Sequence, residues 1–443
     1  MKRRPFGFVT FFLVFGVLQS SAQERHEFTA QDAVAYAKKN NAQVKNALID
    51  VLKQEQTNKQ ITASAYPQIS STLNGTGYLK LPTTLLPGEF FGQPPGTHIP
   101  VKFGTKFNES AAVSLEQLLF DGQVFIGLQA RDAAMQFSRK AEEVTEINII
   151  TNVYKVYYQL AASHNQVAIL DANIARVQKF LDDTRKSFEN GFAEKLDISK
   201  LEVQLSNLKT ERQKTQNTID NGFLGLKVLM GMPIQDTLIL KEQITETEIR
   251  NGVLDASNYN YSDRKEFQYA QVGQQLNEFN IRRYQLSKLP TLSMSASYST
   301  NRQGNNFGFG DPWFKTSYVG MSVHIPIFSG GAKNSMIETA RLTAQQTQNN
   351  IDALKITIDN EVKTAINNYS NALATLDDQK KNMQLAETVY NQTQLKFQNG
   401  IGSQTEISTA QSDLLVSQSN YVLAMYDAIK AKIDFLRATG KLQ

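Results

Sequence analysis

Hydrophobic and polar positions change period several times along the chain, and each change marks an element. Thr29-Ala-Gln-Asp32 opens a stretch of helical spacing that runs to about Ile61, with Ala33, Ala35, Ala37 and Val44 among its apolar positions. From Ala65 to Leu79 the period falls to two. Pro67, Ile69, Ser71 and Leu73 alternate with Gln68, Ser70, Thr72 and Asn74, which predicts a strand. Residues 80–107 hold Pro82, Pro87, Gly88, Gly92, Pro94, Pro95 and Gly96 and read as a long loop. A second strand over about 108–120 sets Ala111, Val113 and Leu115 against Ser110, Ser114 and Glu116. It ends at Phe120-Asp121-Gly122.

A helical pattern without proline then continues to Phe188. At 1.5 Å per residue it would extend roughly 100 Å, far more than a globular core needs. Val156, Leu160, Ser163, Val167, Leu170, Ile174, Val177, Leu181, Thr184 and Phe188 follow alternating steps of four and three, the seam of a coiled coil. Asn190-Gly191 stops the helix, and Ile198, Leu201, Leu205 and Leu208 begin a returning one that ends near Gly231-Met232-Pro233.

The pattern then repeats. After a polar connector over 233–261, a shorter helix reaches about Ser287 and a strand over about 288–299 follows. The last strand, about 316–328, places Val319, Met321, Val323, Ile325 and Ile327 opposite Gly320, Ser322 and His324. A second long helix carries the matching seam, from Ala365 and Tyr369 through Leu376, Met383 and Tyr390 to Phe397. Its tip, Phe397-Gln-Asn-Gly400-Ile-Gly402-Ser403-Gln-Thr-Glu406-Ile407-Ser408, restates Phe188-Glu-Asn-Gly191 and Asp197-Ile198-Ser199 at an offset of 397 − 188 = 209. Ser403-x-x-Glu406 has the form of a capping box. The chain thus divides into a first repeat over 23–232, with its tip at 188–199, a connector, and a second repeat over 262–443, with its tip at 397–408.

Charge and composition narrow the setting. Lys2, Arg3 and Arg4 precede an apolar run from Phe6 to Leu18 and the small residues Ser20-Ser21-Ala22, the form of a secretory signal peptide over 1–22. No other stretch approaches 18 uninterrupted apolar residues, and the mean hydropathy is −0.36, so helical spans are not expected while alternating barrel strands are permitted. The absence of cysteine excludes disulfides, thiolate metal sites and a lipidated cysteine. Without the three basic signal residues the formal charge of +4 becomes +1, which gives no argument for a nucleic-acid partner. His26, His98, His164 and His324 are scattered, and no phosphate-binding glycine loop occurs, so neither an enzyme, a metal site nor a cofactor is expected.

The strands alternate small-polar with aliphatic residues, which suits water on one face and lipid on the other. Four strands cannot close a barrel alone, so several chains must share one. Glu116 and His324 occupy matched positions on the small-polar faces and are candidate pore-lining residues.

Two strand pairs, two long hairpins and the twice-used Phe-x-x-Gly tip resemble the TolC-like outer membrane efflux proteins over about residues 29–440. The resemblance implies an α+β membrane protein in which three chains share a twelve-stranded outer membrane β-barrel, four strands from each, continued by an α-helical coiled-coil tunnel across the periplasm. It implies a homotrimer in the outer membrane of a Gram-negative bacterium, coupled to a periplasmic adaptor and an inner-membrane transporter. The tips, with Phe188, Gly191, Phe397 and Gly400, become the expected docking points. Glu406, and Asp197 as its first-repeat equivalent, fall where family acids line the tunnel entrance, while Thr409 stands where a second acid often sits. A carboxylate in the first turn of a helix is also favoured by the helix dipole, whatever else it does. The contrasting reading is a trimeric coiled-coil adhesin or stalk, which would carry one C-terminal set of strands instead of two internal pairs.

Overall fold

The computed structural model describes residues 25–242, 244–251 and 259–442; the expected signal peptide lies outside them. The elements, in chain order, are β1 (Arg25–Phe28), α1 (Ala30–Asn40), α2 (Ala42–Ala63), β2 (Gln68–Gly77), β3 (Thr83–Pro87), β4 (His98–Lys102) and β5 (Phe107–Phe120). There follow α3 (Gly122–Gln129), α4 (Arg131–Glu189), α5 (Lys195–Met230), β6 (Thr237–Leu240) and α6 (Glu246–Arg250). The second half holds α7 (Lys265–Leu286), β7 (Thr291–Gly304), β8 (Trp313–His324), α8 (Ala332–Gln398) and α9 (Gln404–Ala438). No described helix is long and apolar enough to cross a membrane.

Several boundaries differ from the expectation, each for a local reason. The first helix is two helices, because Asn41 adopts an extended ψ of 132° and its side chain donates to Leu229 O at 2.6 Å. Gly231 sits against this break with φ 72°, and a Cβ there would meet Asn40 O at 2.3 Å. Residues 80–107 are not a plain loop: β3 and β4 pair as an antiparallel hairpin, Leu86 opposite Ile99. The connector contains β6, which pairs in parallel with β1, and the short α6. The last strand stops at His324, ahead of Pro326, which has no N–H to give a ladder.

The described residues form two compact units, and each draws on both halves of the chain. The first comprises 25–41, 149–251 and 369–433. Its core is helix on helix: Leu170, Val177 and Leu181 of α4 pack with Leu201, Leu205 and Leu208 of α5. Tyr390 of α8 packs with Ile407, Ala410 and Leu414 of α9, and Phe180 and Phe397 join that cluster with rings 5.2 Å apart. The seam follows the predicted heptads except at its end, where Phe188 is exposed. α6 is pinned by Glu246, which accepts from Tyr421 Oη and faces Lys380 Nζ, each at 2.7 Å. That pairing holds the Glu246 carboxyl below its ordinary pKa. Tyr158 donates to Glu248, and burial followed by that bond pushes the phenol up.

The second unit comprises 42–148, 259–368 and 434–442. It contains a four-stranded antiparallel sheet ordered β2-β5-β7-β8. Its helical core gathers Phe267, Ile351, Ile358, Val362, Ala365, Phe435 and Ala438. Arg264, buried at its margin, donates to Ala438 O at 3.0 Å and pairs with Glu361 at 2.9 Å and Glu266 at 3.3 Å.

Candidate functional site: the hairpin tips and the sheet

Both tips are built by the same local chemistry. At the first, Gly191 takes φ 81°, its N–H donates to Phe188 O at 2.9 Å and the Phe192 N–H to Ser187 O at 2.8 Å. At the second, Gly400 takes φ 74°, its N–H donates to Phe397 O at 3.0 Å and the Ile401 N–H to Lys396 O at 3.1 Å. This is the paired 5→2 and 6→1 bonding that ends a helix on a left-handed residue, a conformation costly to any side chain with a Cβ. Phe-x-x-Gly thus has a structural cause at each tip. The apolar residue after each glycine then points into solvent: Phe192 is 88% exposed and Ile401 74%. Sequence reasoning passed over both, although their shared place after the glycine was visible in the repeat.

The acids sit in the first turns of the returning helices. Asp197 accepts from the Glu194 N–H at 3.4 Å and lies 3.7 Å from Lys200 Nζ. Ser403 Oγ accepts from the Glu406 N–H at 3.2 Å, one half of the expected capping box. The Glu406 carboxylate lies 3.6 Å from Lys396 Nζ across the turn, both side chains about half exposed. Lys396 was not singled out from the sequence. Phe397 packs inward on Phe180, whereas Phe188 is exposed, so the two tips are not equivalent.

The sheet separates its faces as the alternation predicts. Antiparallel partners share a face, so the rows Ile69–Leu115–Ala296–Val319 and Ser71–Val113–Tyr298–Ser317 lie on one side. Gln68–Glu116–Ser295–Gly320 and Ser70–Ser114–Ser297–Tyr318 lie on the other. Ile69, Leu73, Val113, Val319, Met321 and Val323 are exposed, an aliphatic face left uncovered among the described residues. Glu116 and His324 both stand on the small-polar face, but Glu116 is level with Ser295 and His324 with Thr291, so they are not brought together. Among the described residues β2 and β8 are the two open edges of this sheet. Toward one end of the aliphatic face Arg302, 2% exposed, donates to Glu109 at 3.0 Å, Asn306 O at 2.9 Å and Asp311 at 2.5 Å. This cluster ties the β7–β8 loop to the sheet; Asn306 and Asp311 are near Arg302 in the chain, but Glu109 is 193 residues away and could not be paired with it from the sequence.

The family model for outer membrane efflux proteins matches residues 33–232 and 261–441. TolC of Vibrio cholerae serotype O1 is 20% identical over 343 residues, covering 75% of this chain and 77% of that protein. The outer membrane efflux protein BepC of Brucella suis is also 20% identical, over 94% of this chain and 86% of its own length. The solved structure of CusC superposes with a TM-score of 0.76 at 16% identity, over 93% of this chain and 91% of that one, a likeness of fold. With both repeats inside the matched residues, the chain belongs to the outer membrane efflux protein family.

Proposed function

We propose that this chain is one subunit of a trimeric channel that forms the outer membrane stage of a tripartite efflux or type I export system. The observation that carries the reading is the sheet: an uncovered aliphatic face, a small-polar face and two open edges on one chain. In water such a sheet is an aggregation hazard; in a bilayer every backbone group needs a partner and the aliphatic face needs lipid. Pairing β8 of one copy with β2 of the next meets both demands, and three copies give the twelve strands of the family resemblance. The helices support the same assembly. Leu196, Val203 and Leu224 on α5 and Val416 and Leu423 on α9 are exposed at spacings of seven or its multiples, apolar points that a neighbouring copy can cover.

The channel does no chemistry and supplies no energy. The small-polar face lines its lumen, with Glu116 and His324 among its lining side chains. The tips receive the periplasmic adaptor through the exposed Phe192 and Ile401 beside Gly191 and Gly400, and Glu406 sets charge at the entrance. Transport energy comes from the inner-membrane transporter. Purified protein in planar bilayers tests this: discrete cation-sensitive pores are expected, and a protein that inserts without conductance would leave only a stalk.

A further inference from the structure

Where α7 meets α8, beside the sheet end at which Thr291 pairs with His324, the chain concentrates positive charge that the channel reading does not use. Arg282, Arg283 and Lys288 stand on or just after α7, and Lys333 and Arg341 on α8, against the acids Glu278 on α7, Glu338 on α8 and Asp121, next to Gly122 which packs on Leu286. Two grooves flank Ser335. One, of 520 Å³, is lined by Lys288, Asn334, Glu338 and Arg341 among others. The second, of 490 Å³, is lined by Asn280, Arg283, Tyr284, Met336 and Ala340 among others. Lys333 caps α7 by donating to Ser287 O, Lys288 donates to Asn334 Oδ1 at 2.6 Å and Arg341 lies 3.4 Å from Glu338. The Arg283 guanidinium lies 4.9 Å over the Tyr284 ring and donates one N–H to Tyr284 Oη at 3.2 Å. Its Nε is buried and finds no acceptor among the described residues. Arg283 and Tyr284 line one groove and Lys288 and Arg341 the other, on either side of Ser335; guanidinium and ammonium groups with an aromatic wall match a phosphate ester better than a metal or a neutral solute. Exposed Leu289 and Met336 add apolar surface beside them.

We infer that the α7–α8 junction binds the phosphodiester headgroup of an anionic glycerophospholipid, fixing the level at which the sheet sits in the membrane. This rests on the channel reading, which makes the nearby strand ends the membrane boundary. Juxtamembrane arginines and lysines attract anionic headgroups by general electrostatics, and the two grooves about Ser335 add a defined geometry.

Native mass spectrometry of the full chain in neutral detergent tests it, with phosphatidylglycerol, phosphatidylcholine and inorganic phosphate as probes. Retention of phosphatidylglycerol over phosphatidylcholine is expected, with a fall on the order of tenfold in the Arg283→Gln/Lys288→Gln double variant. Arg341→Gln, which leaves both of those side chains in place, should weaken retention in the same direction. A Lys209→Gln/Lys214→Gln control removes as much charge on α5 and should retain lipid like the parent. Equal retention of both lipids, no loss in the double variant, or equal loss in the control overturns the inference. Displacement by millimolar inorganic phosphate would reduce it to a free-anion site. Pores in planar bilayers without lipid preference refute this inference alone, whereas absence of pores refutes the channel reading beneath it.

Discussion

Gly400 and Glu406 show how one turn serves two demands. The φ of 74° at Gly400 costs a residue with a Cβ about 1–2 kcal/mol, although open space surrounds the position. Gly400→Val is therefore expected to lower thermal stability by that order and to impair adaptor-dependent export while leaving trimers in detergent. Wild-type export with unchanged melting would remove the tip from the docking role. Glu406 acts through charge. Its contact with Lys396 is exposed and contributes well under 1 kcal/mol, so Glu406→Gln should leave stability almost unchanged. In the proposed trimer three such carboxylates near one axis would repel each other and attract cations, so the variant channel should show weaker cation preference and weaker block by multivalent cations. Single-channel recordings with unchanged selectivity would leave Glu406 as a helix-start residue paired with Lys396.

Within the elements, burial and exposure alternate along the same helix and predict opposite kinds of mutant. Leu201 is 0% exposed in the α4–α5 core, and Leu201→Ala should cost about 2–5 kcal/mol in unfolding. Val203, two residues on, is 61% exposed; Val203→Ala should leave chain stability nearly untouched and weaken association between copies, read by trimer dissociation in detergent. A pH effect belongs to α7. Glu266 is disfavoured as a charge by burial, but the Arg264 charge beside it prevails and holds its carboxyl below the ordinary range. A depressed folded-state pKa stabilises above the unfolded value and is lost on protonation, so this contribution is present at neutral pH and fades below about pH 4. Glu266→Gln should flatten the acid limb of the melting-temperature profile, and an unaltered limb would contradict the pairing. The long hairpins and the sheet were legible because heptads and strict alternation are local patterns that the final packing obeys. The β3–β4 hairpin was hidden by its prolines and glycines, and the α1–α2 break by a bond from Asn41 to a carbonyl 188 residues away. The tip glycines were legible for the same reason, while Lys396 opposite Glu406 and the Arg302 cluster needed tertiary geometry.

For the whole molecule, the claim on which the function depends is that β8 of one copy pairs with β2 of the next until three copies close. The chain has no cysteine, so introduced pairs report on that seam without background. Within one copy β2 and β8 are separated by β5 and β7, about 14 Å apart at ordinary strand spacing, beyond the reach of a disulfide. A cysteine at Ser71 in β2 combined in turn with one at Thr316, Ser317, Tyr318 or Val319 in β8 can bridge only between copies. The measurement is denaturing electrophoresis after mild oxidation in outer membranes, with each single-cysteine variant as control. A barrel shared by three copies predicts that one register gives a ladder ending at three linked chains, while the single variants stay monomeric. A ladder that continues past three, or no linkage at any register in a folded, conducting preparation, would contradict it.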